Sequence, residues 1–526
     1  MDRIRDLFVV ALLVLPASAA QVLGDVKMPA VFANHMVLQR GMPVPVWGWA
    51  EAGEKVSVSF GQQAQTTTAA ADGKWMVKLA PLTVGPARTL SISGKNRIDL
   101  TDVLVGEVWI CSGQSNMAWT VASALDSDLE TAAAGYPQIR LFKVQQHSTP
   151  KAQTDVTGQW SRCSAQTVPT FSAVGYYFGR QLHRTLGVPV GLIHTAWGGT
   201  RAEAWTHPDD FRAKASLKPL DDWWTNAIAS YDEAAEKQKY ETALAKWKQA
   251  AAKAKQQNKR PPRRPGLRGN PADDRHRPGN LYNGMIAPLV PFAARGAIWY
   301  QGESNAGRAY QYRTIFPLMI SSWRRAWGRQ DLSFYWVQLA NFRAVQEEPV
   351  ESDWAELREA QSMTRSLPHT GEAIITDLGA ALDIHPKNKQ DVGKRLARLA
   401  LVDLYQQGGK LARSGPVYTS HEIKGNKVVL RFDDLGGGPN PALTTWYRQP
   451  LQGFAIAAAD RNFVWAQARI AGKNAIEVWH DSISAPAAVR YNWADNPTGN
   501  LYSSYLLPAG PFRTDNWPGK TADKHH

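Results

Sequence analysis

Hydrophobic and polar positions alternate with a period of two in the first hundred residues of the chain. Residues 56–60 and 75–79 show this alternation, which is typical of half-buried antiparallel strands. Further short apolar runs lie between turn residues, at 36–38, 44–48 and 89–92. The pattern predicts a small N-terminal β-sandwich over residues 24–102. Such a module either binds glycan or packs against the next domain, and we favour packing.

From about residue 103 the pattern changes to apolar runs that alternate with amphipathic stretches of helical period. Strands are predicted at residues 103–110, 139–144, 189–196, 296–301, 333–339 and 373–378. Helices are predicted between them, at 172–186, 310–327, 354–367 and 389–405. Alternating strands and helices indicate the α/β class, with a mainly parallel sheet in a three-layer domain over residues 103–410.

A stretch at residues 207–280 interrupts this rhythm. Residues 233–257 are rich in Ala, Lys, Glu and Gln, which are strong helix formers, and the prolines at 261, 262 and 265 end the helix. We predict a basic helical insertion. It is either a lid over the active site or a passive surface element, and we favour the second.

The two ends of the chain differ from the middle. Short apolar runs return after residue 411 and predict a C-terminal β-rich module over 411–515, either a second sandwich or part of the N-terminal one. Residues 516–526 are expected to be a disordered tail. At the other end, Arg3 and Arg5 precede an apolar run and small residues at 17–20, the pattern of a signal peptide over residues 1–20. We therefore expect a periplasmic or secreted protein without a membrane span; a retained anchor is the less favoured interpretation.

Charge and composition narrow the choice of partners. The net charge is +14, but 13 basic and only 4 acidic side chains lie between residues 234 and 280. The excess therefore belongs largely to the insertion, and we expect no nucleic acid partner. The 21 tryptophans are expected mostly in the core, with a few lining a sugar cleft. Cys111 and Cys163 are either a disulfide or two buried thiols, and no Cys/His spacing indicates a metal.

Four turns at the carboxyl ends of predicted strands carry groups that suit acyl transfer. They hold Ser115, Gly199, Asn305 and His385. A serine hydroxyl needs a base to become a nucleophile, and an imidazole titrates near neutral pH. We therefore predict Ser115 as nucleophile and His385 as base. Each residue also has a structural interpretation, as a cap or turn former, and it is their joint position that favours catalysis.

The remaining catalytic roles follow from the charges that develop during the reaction. Asp383 is expected to orient His385 and offset its positive charge, and Glu303 is the alternative partner. The oxyanion of the tetrahedral intermediate is expected to bind the N–H groups of Ser115 and Gly199 and the amide of Asn305. No metal or organic cofactor is expected, because these groups complete the chemistry.

The motifs together resemble the sialate O-acetylesterase family, which belongs to the SGNH (GDSL-like) hydrolases. The resemblance spans about residues 25–515 and rests on five segments, at 113–117, 197–205, 280–289, 298–305 and 383–386. It implies an SGNH-type hydrolase domain with flanking β-sandwich modules, and the same roles for Ser115, His385, Asp383, Gly199 and Asn305. The general SGNH pattern places the acid three residues before the histidine, whereas Asp383 lies two before His385.

We therefore expect an exported serine esterase that removes O-acetyl groups from carbohydrate, either O-acetyl sialic acid or an acetylated hemicellulose such as xyloglucan or xylan. The residues expected to contact this substrate are Gln114, Arg201, Gln301, Glu303, Trp119 and Trp205. Arg201 is a candidate partner for a sugar carboxylate, or a brace of the Gly199 turn. The tryptophan content leans towards a neutral polysaccharide. The competing hypothesis is a catalytically silent glycan-binding protein.

Overall fold

The computed structural model describes residues 25–407, 409 and 411–525 of the chain. The predicted signal peptide, residues 1–20, lies outside this part. Within it, no helix combines the length and the apolar character needed to cross a membrane.

The N-terminal region consists of short strands, and all but the first pair antiparallel with one another, as the period-two pattern predicts. They are β1 (Val37–Gln39), β2 (Val44–Trp49), β3 (Lys55–Phe60), β4 (Gln63–Thr68), β5 (Lys74–Leu79) and β6 (Arg88–Ser93). Strand β2 pairs with β5, while β3 pairs with both β4 and β6. The alternate side chains of β3, Val56, Val58 and Phe60, are buried.

The central sheet is parallel except at one edge. Its strands are β7 (Arg97–Gly113), β8 (Ile139–Lys143), β9 (Trp160–Arg162), β10 (Val190–His194), β11 (Gly296–Tyr300), β12 (Ser333–Val337) and β13 (Thr370–Ala373). Their order is β13-β12-β11-β7-β10-β8-β9, and only β9 runs antiparallel to its neighbour. The carboxyl ends of β8, β10, β7 and β11 therefore meet at one edge of the sheet.

Strand β7 connects this sheet to the N-terminal region. It is 17 residues long. Its first part pairs antiparallel with β6, and its second part pairs parallel with β10 and β11. The expected domain boundary at residues 102–103 falls inside this one strand.

Helices cover both faces of the central sheet and form the insertion. They are α1 (Ser115–Ala118), α2 (Ser127–Ala132), α3 (Ala173–Leu186), α4 (Pro208–Ala213), α5 (Lys218–Ala229), α6 (Glu233–Gln256), α7 (Ala309–Trp327), α8 (Asp353–Met363) and α9 (Lys389–Asp403). Helices α3 and α9 bury their apolar faces with Tyr335 and Ile298 on one side of the sheet. On the other side, α7 and α8 pack with Trp299 and Trp336.

The second face of the sheet shares its core with the N-terminal strands. One apolar cluster runs from Val58 and Leu90 to Trp299 of β11. At the junction, the ring of Phe32 lies 5.3 Å from that of Phe292, between centroids. The N-terminal strands are therefore packed against the α/β region.

The C-terminal region is a second set of antiparallel sheets. Its strands are β14 (Val417–Lys424), β15 (Lys427–Asp434), β16 (Leu443–Thr445), β17 (Phe454–Ala457), β18 (Val464–Trp465), β19 (Gln467–Ile470), β20 (Ala475–Trp479), β21 (Ala488–Tyr491), β22 (Leu501–Ser503) and β23 (Phe512–Arg513). Two four-stranded sheets, β14-β15-β20-β19 and β18-β17-β21-β23, enclose a separate apolar core. Among the described residues these strands pair only with one another, so they do not extend the N-terminal sheets.

Two expectations are corrected by buried side chains. The tail is not disordered over residues 516–525, because Thr521 is buried and its amide donates a 3.1 Å hydrogen bond to the buried carboxylate of Glu356. Cys111 and Cys163 are both buried and free, so the disulfide interpretation is wrong. Burial raises the pKa of the Cys163 thiol to about 12.

Candidate active site

The turn after β7 brings Ser115 to the carboxyl edge of the sheet. Gly113 ends the strand with φ +138°, and a Cβ at this position would lie 2.2 Å from the carbonyl oxygen of Tyr300. Only glycine fits such a close approach of two backbones. Helix α1 starts at once with Ser115, whose side chain is half-buried.

His385 reaches Ser115 from the loop before α9. Its Nε2 lies 2.8 Å from the Oγ of Ser115, which is hydrogen-bond distance. The ring of Trp119 stacks on the imidazole, with centroids 4.7 Å apart and 13° between the planes. The structure thus brings together the predicted nucleophile and the predicted base, which are 270 residues apart in the chain.

Asp383 lies on the other side of the imidazole ring. Its Oδ1 is 3.6 Å from the Nδ1 of His385, the distance of an ion pair rather than of a hydrogen bond. The same oxygen accepts a 2.9 Å hydrogen bond from the backbone N–H of His385. Glu303, the alternative partner, accepts a 2.6 Å hydrogen bond from Asn116 and forms no ion pair with His385 in the described structure.

Asn116 connects the nucleophile turn to the histidine loop. Its side chain is almost fully buried and makes three hydrogen bonds. Its Nδ2 donates to Glu303 and, at 3.0 Å, to the carbonyl of Ile384, while its Oδ1 accepts from the Nζ of Lys389 at 2.5 Å. The residues on either side of the Ser115–His385 contact are therefore fixed to one another.

Lys389 places a buried amine next to His385. Burial lowers its pKa to about 7, although Glu303 and Asp383 act in the opposite direction. Burial also raises the pKa of Glu303. The pKa of His385 is lowered, by burial first and then by Lys389, with Asp383 opposing. Because this pKa lies below the usual range of histidine, the imidazole stays neutral to lower pH. The neutral ring is the form that accepts a proton.

Two backbone N–H groups near Ser115 are available for an oxyanion. Gly199 has φ +74°, and Gly198 lies directly against Ser115, since a Cβ on Gly198 would be 3.4 Å from that of Ser115. Among the described residues, the N–H groups of Ser115 and Gly199 donate no hydrogen bond. Both satisfy the basic requirement for an oxyanion donor.

Asn305 is buried and held by a carboxylate. Its Nδ2 donates a 2.8 Å hydrogen bond to Glu203, and its Oδ1 accepts from the backbone of Ala202 at 3.0 Å. Its Nδ2 carries two hydrogens, and the second has no hydrogen-bond acceptor among the described residues. Burial alone would raise the pKa of Glu203, but the buried ion pair with Arg308 and the hydrogen bond from Asn305 lower it. Glu203 is therefore an ionised acceptor that orients Asn305.

Of the residues expected to contact substrate, three are buried beneath the surface. Trp205 is fully buried and donates to the hydroxyl of Thr200, so its ring offers no face to a sugar. Gln301 is fully buried and donates 2.6 Å to Asn305, while Gln114 accepts from the backbone N–H of Gly302. These expectations are corrected: the three side chains support the turns. Trp119, Glu303 and Arg201 are half-buried.

The insertion contributes a residue to the site that the sequence pattern does not reveal. Arg275, near the end of the insertion, lies over the ring of Trp197, with its guanidinium carbon 5.9 Å from the centroid. A Cβ on Gly199 would lie 3.8 Å from its Nη2. Burial lowers the pKa of the neighbouring His276; Asp274 and Glu203 oppose this shift, while Arg201 and Arg275 act with it. Charged groups of both signs thus lie near this end of the insertion, and Arg275 is the one close to Gly199.

Comparison with known proteins gives consistent results. A family model described as carbohydrate esterase, sialic acid-specific acetylesterase, matches residues 105–261 and 269–402. Human sialate O-acetylesterase is 27% identical over 546 residues, which cover 92% of each chain. The rat sialate O-acetylesterase is 26% identical and covers 91% of this chain and 92% of its own. The crystal structure of a carbohydrate acetylesterase from Xanthomonas citri matches with a TM-score of 0.79 and 38% identity, over 94% of this chain and all of that one.

Proposed function

Since this chain belongs to the sialic acid-specific acetylesterase family of carbohydrate esterases, we propose that it removes O-acetyl groups from carbohydrate through an acetyl-enzyme on Ser115. Carbohydrate O-acetylesterase activity is common to its relatives and its structural neighbour. The observation that carries the proposed mechanism is the 2.8 Å contact between Ser115 Oγ and His385 Nε2. A catalytically silent binding protein has no need of this contact and is not favoured.

The first half of the reaction forms the acetyl-enzyme. The Oγ of Ser115 attacks the acetyl carbonyl while His385 Nε2 takes its proton. The ion pair with Asp383 offsets the positive charge that His385 gains. Negative charge develops on the carbonyl oxygen, where the N–H groups of Ser115 and Gly199 and the free amide hydrogen of Asn305 stabilise it. His385 then gives its proton to the sugar oxygen, and the C–O bond to the sugar breaks.

The second half of the reaction releases acetate. His385, neutral again, takes a proton from water, and the water oxygen attacks the acetyl carbon of the ester. The same donors stabilise the second tetrahedral intermediate. Its collapse returns the proton from His385 to Ser115 Oγ. The lowered pKa of His385 suits both halves, because the base is neutral at the start of each.

We further propose an SGNH-type hydrolase fold and export of the protein. The mainly parallel sheet with helices on both faces supports an SGNH-type hydrolase domain at residues 103–410. The β regions at 24–102 and 411–515 would be its accessory modules, and the insertion at 207–280 would supply Arg275 to the cleft. The basic and apolar start of the sequence supports export.

The acetylated sugar is proposed to carry a carboxylate. Arg275 lies over Trp197 with its guanidinium close to Gly199, Arg201 follows this turn in sequence, and guanidinium groups bind carboxylates well. This charge favours an acidic sugar such as sialic acid over a neutral hemicellulose unit, contrary to the weaker indication from tryptophan content.

Acetate release tests the function and the sugar together. Wild type and Ser115→Ala would be compared on O-acetylated sialic acids, acetylated xyloglucan oligosaccharides and acetylated xylan. We expect release from the sialic acids, lost in Ser115→Ala. Arg275→Gln should raise KM for sialic acids, while Arg264→Gln, on the exposed part of the insertion, should not. Equal activity of Ser115→Ala would refute the nucleophile, and release from the neutral glycans alone would refute the acidic sugar.

A further inference from the structure

A second cleft lies beside the proposed catalytic site, at the carboxyl ends of β8 and β10. Its volume is about 810 Å³. In the order β8-β10-β7, neighbouring strands lie about 4.8 Å apart, so the end of β10 in this cleft is roughly 5 Å, and the end of β8 roughly 10 Å, from the end of β7 that carries the nucleophile turn. None of the proposed chemical steps uses it.

Two residues in the wall of this cleft lie close to segments of the catalytic site. On one side is Ala196, two residues before Gly198, which packs against Ser115. On the other side is Phe171, whose carbonyl accepts a 3.1 Å hydrogen bond from the N–H of Val121, close to Trp119. The cleft therefore lies next to the elements that carry Ser115 and Trp119.

Half of the lining residues carry neutral hydrogen-bonding amides or hydroxyls. They are Gln145, Gln146, Thr157, Gln159, Ser161, Thr167 and Thr170. Lys143 is the cation among the lining residues, and its Nζ is directed at the carbonyl of Thr170, 3.4 Å away. Among the described residues, the side chains of Gln145 and Gln159 make no hydrogen bond, so their amides are free to bind a ligand.

One buried side chain in the wall lacks the partners it needs. His194 is 4% exposed, and neither of its ring nitrogens has a hydrogen-bond partner in the described structure. An unpaired buried polar group destabilises the fold, so such a group is a place where a ligand or a water molecule is expected to bind. Burial lowers the pKa of His194 to about 3, and the neutral ring offers one donor and one acceptor.

We propose that this cleft is a subsite for a neutral sugar unit attached to the acetylated sugar, bound through Gln145 and Gln159, with His194 in the wall behind them. Sugar hydroxyls both donate and accept hydrogen bonds, as amides and a neutral imidazole do. A phosphate or carboxylate would require more positive charge than Lys143 supplies. The inference rests on the proposed function, because it means that the enzyme recognises an acetylated oligosaccharide rather than a single acetylated sugar.

The test separates the subsite from the chemistry. Gln145→Ala/Gln159→Ala would be assayed on O-acetylated sialyl oligosaccharides and xylo-oligosaccharides of increasing length, and on 4-nitrophenyl acetate. Both side chains are exposed, so the variant should fold. We expect KM for the longer substrates to rise about tenfold, as for the loss of one or two hydrogen bonds. Turnover of 4-nitrophenyl acetate should stay unchanged, and so should all values for the control Gln166→Ala, an exposed neighbour outside the cleft.

A binding measurement gives a second readout. The Ser115→Ala protein should bind the deacetylated oligosaccharides in calorimetry, and the double substitution should weaken this binding. The subsite is refuted if wild-type KM is independent of chain length, or if the double variant matches Gln166→Ala. Failure of the proposed function looks different: no substrate releases acetate, or Ser115→Ala keeps full activity.

Discussion

Asn116 is the side chain on which the geometry of Ser115 and His385 depends. It follows the nucleophile in sequence and bonds to the carbonyl of Ile384, the residue before His385. It also joins the half-buried Glu303 to the buried Lys389, and each of these ionisable groups favours the charged form of the other. Through Asn116, the two ionisable groups and the proposed catalytic pair form one network.

The proposed oxyanion donor Asn305 is tested by Asn305→Ala. Loss of one such donor costs about 2.7–4 kcal/mol of barrier, so we expect kcat to fall between a hundredfold and a thousandfold with little change in KM. Steady-state kinetics on an acetylated sugar measures both constants. Asn283→Ala, which removes another buried amide, should keep kcat. A kcat for Asn305→Ala close to wild type would mean that its amide only braces Glu203.

The charge of Lys389 is expected to shift the acid limb of the pH profile to lower pH, in addition to the effect of burial. Of the charged groups near His385, Lys389 lowers the pKa and Asp383 raises it, while Glu303 acts on Lys389. In Lys389→Met the pKa of His385 should rise, so activity should be lost at higher pH than in wild type as the solution is acidified. The kcat/KM profile measures this shift. The exposed control Lys387→Met should leave the limb in place, and an unmoved or lowered limb in Lys389→Met would contradict the account.

Individual residues were predictable where they end a strand. Ser115, Gly199, Asn305 and His385 follow apolar runs, and the fold brings such turns to one edge of the sheet. Glu203 and Lys389 were not identified, because their roles depend on which buried partner the tertiary structure supplies. Lys389 does lie four residues after His385, a spacing that places it on the first turn of α9.

At the scale of elements, the hydrophobic pattern predicts long helices best. Helix α6 was expected at 233–257 from composition alone and spans Glu233–Gln256. Strand β4 was missed because its sequence, Gln63–Thr68, has no apolar alternation. The apolar run at 373–378 was expected as a strand, but β13 ends at Ala373 and Ile375 is buried in the following loop. An apolar run signals burial, and backbone pairing is a separate requirement.

Helix α6 should be dispensable for stability. None of its residues is buried, and the hydroxyl of Tyr231 lies 3.3 Å from the carbonyl of Arg268, so the two ends of the segment between them are adjacent. Replacing residues 233–267 with a short Gly/Ser linker should leave Tm unchanged, because little apolar surface is lost. Scanning calorimetry measures this, and Arg275 is retained. A marked drop in Tm would show that α6 supports the fold.

At the scale of the whole molecule, the N-terminal strands and the α/β region behave as one packed body. Strand β7 belongs to both, and one apolar cluster runs between them. The sequence pattern predicts the change from β to α/β structure, yet it cannot show that a single strand crosses the boundary, since the apolar run at 103–110 covers only its second half. The C-terminal core, by contrast, is separate.

Removal of the N-terminal strands should therefore abolish folding. A chain that starts at residue 97 would expose the apolar surface around Phe292, which Phe32 and Trp47 cover. We expect it to be insoluble or to lack a cooperative thermal transition, whereas the full chain melts cooperatively. A soluble, cooperatively folded truncated protein would contradict the shared core.

The central claim is that Ser115 carries the acetyl group during turnover. The most direct measurement is acid quenching of the enzyme during the reaction with 4-nitrophenyl acetate, followed by mass spectrometry of the peptide that contains Ser115. We predict an acetyl group on Ser115 that appears within the first turnover, disappears when the ester is exhausted, and is absent from Ser115→Ala. Acetylation of a different residue on the path to product, or undiminished turnover by Ser115→Ala without an acetylated peptide, would contradict the account.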